Sequence, residues 1–245
     1  MLPEAPFELI LLFFGITVVT MLLLFVAMQK VCRTTAILVT AGMIAWCLLQ
    51  SIFAYTGFYR DYQCLPPNLL IAGVFPILLV IGFVLINPQT YRAMLLIPLV
   101  NLTWIHSIRV PIELGLFWLF TEKLVPQFMT FEGYNFDILA GISAPFIAYY
   151  GIFKKNMSRR VLLIWNIISL FLLFNIICIG LLAAPFPFQQ LGFDQPNTAI
   201  FYFPFVLLPT VIVPIILFAH LVSIVNLCTN KRKIISAKQS HKFAT

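Results

Sequence analysis

The chain has 245 residues, 62% of them hydrophobic and 9% charged, with a mean hydropathy of +1.02. A soluble domain carries about 25% charged residues, so this composition excludes a water-solvated surface and implies an all-α polytopic membrane protein. The net charge of +7 would suit a nucleic-acid partner, but its distribution along the chain gives no support for one.

A spanning helix needs ~20 mainly apolar residues. Seven stretches meet that requirement: Phe7–Met28, Thr35–Tyr55, Leu69–Ile86, Met94–Phe120, Phe136–Phe153, Val161–Leu182 and Ile200–Cys228. They predict one seven-transmembrane-helix bundle over residues 1–230 and a basic tail over 231–245. The first stretch lacks a basic leader and a small-residue cleavage site, and reads as a retained helix rather than a signal peptide. Prolines interrupt several stretches (Pro76, Pro98, Pro111, Pro145, Pro204, Pro209, Pro214). Packed membrane helices tolerate them when neighbours satisfy the released carbonyls.

Basic residues set the orientation. Lys30, Arg33, Arg92, Lys154, Lys155, Arg159, Arg160, Lys231, Arg232, Lys233, Lys238 and Lys242 all fall on one side of the seven stretches. Arg60 and Lys123 fall on the other, and Arg109 lies within the fourth stretch. The acidic residues avoid the basic side. The positive-inside rule then places the N-terminus outside and the C-terminus in the cytoplasm. The basic clusters meet lipid headgroups rather than nucleic acid.

A sequence echo links the first three stretches with the last three. Phe7-Glu8-Leu9-Ile10 corresponds to Phe136-Asp137-Ile138-Leu139, and Pro67-Asn68 with Phe75-Pro76 to Pro196-Asn197 with Phe203-Pro204. This pattern would make a 3+1+3 parallel repeat, an arrangement known among transporters, with Pro76 superposed on Pro204.

The fourth stretch carries the most informative run, Thr103 to Glu113. His106, Arg109 and Glu113 share one helix face, flanked by Thr103. Counted from Met94 at ~1.5 Å per residue, His106 lies ~18 Å deep. An arginine at such depth costs at least ~2.5–3.5 kcal/mol on insertion scales, so it must face a partner or a wet cavity. In a structural reading, Arg109 pairs with Glu113 at i,i+4. In a functional one, it holds a small anionic or carbonyl-bearing ligand. Glu132 and Asp137, in the external segment before the fifth stretch, would close on Arg109 from above, although Asp137 also suits a helix cap. The apolar loop from Ala184 to Asn197 is expected to pack on the outer mouth of the bundle or to sit at the membrane interface. Asn166 and Asn175 read as interhelical hydrogen-bonding residues.

Other chemistries find no support. The last stretch has no lysine for a retinal Schiff base, and HExxH, GxSxG and P-loop motifs are absent. The five cysteines show no metal-ligand spacing, and only Cys64 falls in an external loop. His220 reads as lying near the cytoplasmic end of the last helix, at a different depth from His106. No disulfide, metal or cofactor is therefore expected.

The strings Ile108–Leu114, Thr130–Gly141 and Ala184–Gln190 resemble those of an uncharacterised group of bacterial seven-helix integral membrane proteins. The resemblance runs from the fourth to the seventh stretch. It implies a bacterial inner membrane and brings no activity with it. Together these features predict a multi-pass protein of the cell inner membrane, in contact with lipid, with a ligand site in the outer half of the bundle. The expected site comprises Thr103, His106, Arg109, Glu113, Glu132 and Asp137, in a transporter-like or receptor-like protein. The alternatives are an intramembrane enzyme using His106 as base beside Arg109, or a structural accessory subunit.

Overall fold

The computed structural model describes residues 5–229, and the basic tail over 231–245 lies outside them. The described residues form eight helices and no strand. In chain order these are α1 (Phe7–Gln29), α2 (Arg33–Thr56), α3 (Leu69–Ile86), α4 (Pro88–Met94), α5 (Leu99–Thr121), α6 (Asp137–Phe153), α7 (Arg159–Leu182) and α8 (Leu208–Cys228). Five of them (α1, α2, α3, α7 and α8) are individually long and apolar enough to cross a membrane. Large side chains stand exposed along them, among them Leu11, Phe14 and Leu22 on α1 and Ile164, Ile168 and Phe171 on α7. Lipid is the medium that such faces suit.

The fourth apolar stretch is not one helix. α4 and α5 meet at 86° across residues 95–98. Asn87 caps α4, its Oδ1 accepting from the Gln89 amide at 2.9 Å, and Pro98 disfavours helix in the residue before it. The apolar run Leu95-Leu96-Ile97 hides this corner from a hydropathy reading. α4, at seven residues, spans only ~10 Å and cannot cross. With α5 as its continuation, the broken pair would make a sixth span. α6 is shorter than a usual span, and its last part, Ile147–Phe153, winds as a wide π-helical turn after Pro145.

Two further wide turns explain how α3 and α8 carry prolines. In α3, Leu69–Val74 is π-helical, and the Phe75 amide returns to the Leu70 carbonyl. In α8, Leu208–Ile212 repeats this, with the Val213 amide on Leu208 O. Pro76 and Pro214 follow directly and lack the N–H that Ala72 O and Thr210 O would otherwise accept. α2 supplies both missing donors. Gln50 Nε2 donates to Ala72 O at 3.2 Å and Trp46 Nε1 to Thr210 O at 3.0 Å. Tyr59 OH in turn donates to Gln50 Oε1. The two turns cross where Gly73 meets the Thr210 side chain, with room for no larger residue. Pro76 thus shares its local setting with Pro214, whereas Pro204, its expected counterpart, lies in the turn ahead of α8.

The core runs along α1, α5 and α8. Leu9, Phe13, Ile16, Leu24 and Ala27 of α1 lie on one seam against the buried faces of α5 and α8. The loop from Ala184 to Asn197 packs onto this core as expected: Ala184 and Phe186 are buried, and Gln195 Nε2 donates to Phe120 O at 3.0 Å. All five cysteines are free thiols.

Candidate functional site

α5 begins at Leu99, five residues later than the hydropathy pattern suggests, so His106 is only ~10 Å along it. His220 stands eight residues before the end of α8 at Cys228, a distance of ~12 Å. Both histidines therefore lie at matching depths, contrary to expectation. Their rings stack at 3.9 Å with 23° between planes, and Trp165 of α7 closes on His106 edge-on at 5.7 Å. The difference arises at the corner across residues 95–98, which starts α5 at Leu99 rather than Met94 and so brings His106 to the level of His220.

A tight turn at His106–Ile108 precedes Arg109, one residue pair before Pro111 withholds a donor from Ser107 O. It leads into the second half of α5, where Arg109 extends across the bundle and is fully enclosed. Arg109 Nη1 donates to Asp137 Oδ1 at 2.9 Å and to Ser169 O at 3.1 Å, and Nη2 approaches His220 Nε2 at 2.7 Å. A guanidinium only donates, so His220 Nε2 must be an acceptor. The imidazole is therefore neutral, with its proton on Nδ1, which faces Asn166 Oδ1 at 3.2 Å. Asn166 Nδ2 donates to Leu162 O at 3.0 Å, which fixes the orientation of its amide. One hydrogen-bonded chain thus joins α7, α8, α5 and α6.

Three expectations are corrected here. Arg109 does not pair with Glu113 at i,i+4. Its ion pair, the one among the described residues, is with Asp137, because Asp137, Ser169 O and His220 converge from three other helices. Asp137 makes no side-chain cap either: its own amide donates to Asn135 Oδ1 at 3.1 Å, and its carboxylate goes to Arg109. Glu132 is exposed and makes no ion pair among the described residues. Thr103, though buried, bonds to Leu99 O on its own helix.

Glu113 is 1% exposed and held by Asn135, whose Nδ2 lies 2.6 Å from each carboxylate oxygen. Asn135, absent from the sequence-predicted site, therefore positions both carboxylates. His106 Nδ1 and Nε2, Arg109 Nε and Asn197 Oδ1 make no hydrogen bond among the described residues. Among those residues, no group of three or more His, Cys, Asp or Glu is placed to hold a metal ion. Asn175 bonds to Tyr134 O at 2.7 Å, tying α7 to the loop that carries Asn135.

Beside this cluster lies a cavity of about 240 Å³ between α3, α5, α7 and α8. Leu78, Leu116, Leu173, Ile177, Phe186 and Leu217 make much of its wall. Glu113, Asp137 and Asn197 are its polar members. Arg109 and the two histidines do not line it.

A family model, Domain of unknown function (DUF8737), matches residues 66–228. The chain belongs to this family. No curated protein and no solved structure matches it. The DUF8737 match takes in α3 to α8, beginning one helix earlier than the sequence resemblance suggested. Every member of the polar cluster and every residue lining the cavity falls inside it, whereas α1 and α2 precede it.

Proposed function

We propose that this DUF8737 protein is a seven-helix protein of a bacterial inner membrane, N-terminus outside, that binds a small ligand in the outer half of its bundle as a transporter or receptor. The cavity ending on Glu113 and Asp137 carries this reading. Ligand sites are typically apolar with a few fixed polar groups, and ionisable residues inside a membrane bundle mark function by default. A larger space of about 710 Å³ between α1 and α2 has no charged residue in its wall, and suits lipid tails better.

The seven spans would be α1, α2, α3, α5, α6, α7 and α8, with α4 lying along the cytoplasmic interface. Arg159 supports this packing, since its Nη2 donates to the carbonyls of Asn226, Leu227 and Thr229 at 2.8, 2.9 and 3.0 Å. The start of α7 thus caps the end of α8 on the basic side, where a cation suits the helix dipole. Asn156 and Asp194 are both exposed. A cysteine at Asn156 should be labelled only from the cytoplasm and one at Asp194 only from outside, and the reverse pattern would overturn the orientation.

The enzyme reading receives less support. Ser107 Oγ bonds to Trp104 O and Thr103 Oγ1 to Leu99 O, so neither hydroxyl bonds to His106. For the ligand reading, Leu217→Trp should fill the cavity without touching the polar cluster. Mass spectrometry of solvent extracts from purified wild-type protein should reveal a bound small molecule that the Leu217→Trp protein lacks. Identical extracts would count against a ligand in this cavity.

A further inference from the structure

Ligand class follows from which polar atoms face the cavity. The guanidinium of Arg109 is enclosed, with Nη1 on Asp137 and Ser169 O and Nη2 on His220. It does not line the cavity, so an anionic ligand would find no cation in the wall. The groups that do line it are acceptors. Asn197 is 1% exposed, and its Nδ2 donates to Gly180 O at 3.0 Å. That bond identifies the remaining amide atom as oxygen, and Asn197 Oδ1 is left without a partner among the described residues. Glu113 takes both of its hydrogen bonds from the single Asn135 amide, and no cation lies within ion-pair distance of it among the described residues.

Charge points the same way. Asp137 has Arg109 as its partner, and His220 is neutral by its hydrogen bonds. One guanidinium stands against two carboxylates and is taken up by Asp137, so Glu113 has no cation partner among the described residues. A buried carboxylate is unfavourable as an anion without such a partner, and a monovalent cation entering beside it supplies one. Phe174 and Phe186 line the same cavity and add faces that attract cations as well as apolar groups.

We infer that the cavity takes a lipophilic monocation, with an ammonium head on Glu113 and Asn197 Oδ1 and an alkyl or aryl body among the leucines and phenylalanines. This assignment rests on the cavity being a ligand site, and deepens that reading by fixing the ligand's charge.

Three probes of one shape separate the possibilities: phenethylammonium, phenethyl alcohol and phenylacetate, each titrated against the full chain in detergent by equilibrium binding. Phenethylammonium should bind saturably and at least about tenfold more tightly than the alcohol, with phenylacetate weakest. Glu113→Gln should erase the difference between amine and alcohol, and Leu217→Trp should abolish binding of all three. The wild-type comparison needs no variant, so a misfolded Glu113→Gln protein would not obstruct it. If phenylacetate or the alcohol equals the amine while Leu217→Trp still blocks binding, the cavity is a ligand site and the cationic assignment is wrong. If none of the three shows binding that Leu217→Trp removes, the ligand-site reading fails with it.

Discussion

Arg109→Ala should destabilise the protein by about 3–5 kcal/mol, the usual penalty for breaking a buried ion pair from one side. The loss has several parts. Asp137 loses its partner at 2.9 Å, Ser169 O loses a donor, and His220 Nε2 is left facing nothing. Apolar replacement of both ion-pair partners is often close to neutral, because no charge is then stranded. The double variant Arg109→Leu with Asp137→Leu should therefore lose less than the sum of its two single changes. Thermal or denaturant unfolding in detergent, arranged as a double-mutant cycle, reads this directly. Strict additivity would mean that the pair seen in the structure contributes no coupling. Arg109→Lys is a milder test. An ammonium retains the charge but cannot reach acceptors on both prongs of a fork, so a loss of about 1–3 kcal/mol is expected from unsatisfied partners.

The sequence made the long apolar helices legible, because composition and sustained apolar runs mark them directly. It made Arg109 legible as well, since an arginine at that depth demands partners. The identity of those partners was not legible. Asp137 stands at the first position of α6, where a carboxylate serves equally as a dipole ligand and as an ion-pair partner. In the fold Asn135 Oδ1 takes the Asp137 amide, and the carboxylate goes to Arg109. The meeting of His106 with His220 is hidden for a different reason. Hydropathy does not reveal the corner at residues 95–98, so a count from Met94 sets His106 too deep. The apolar turn at Ile200–Leu207 is hidden in the same way. Trp46 and Gln50, four residues apart on α2, answer two prolines on two other helices. A polar pair on one face of an apolar helix was a visible signal, but only the fold reveals which carbonyls it serves.

Gly141→Ala should prove costly although it adds a single methyl group. α6 approaches α5 so closely at this point that a Cβ would lie 2.9 Å from both the Val110 amide nitrogen and its Cγ2, and 3.1 Å from Arg109 Cβ. Backbone cannot yield as a flexible side chain does, so the two helices must separate. Overpacking of this kind costs about 1–3 kcal/mol, and Gly141→Val should exceed the alanine change. Separation also reaches the polar cluster, because Asp137 lies one turn before Gly141 on the same face and Arg109 sits at the point of contact. The coupling measured between Arg109 and Asp137 should therefore shrink in a Gly141→Val background. Gly82 on α3 is the control: nothing lies within 4 Å of a Cβ built there. Gly82→Ala should be neutral, or stabilising by roughly 0.4–1 kcal/mol through the unfolded chain. Equal tolerance at the two positions would show that α5 and α6 do not meet at Gly141, and would remove the contact that seats Asp137 against Arg109.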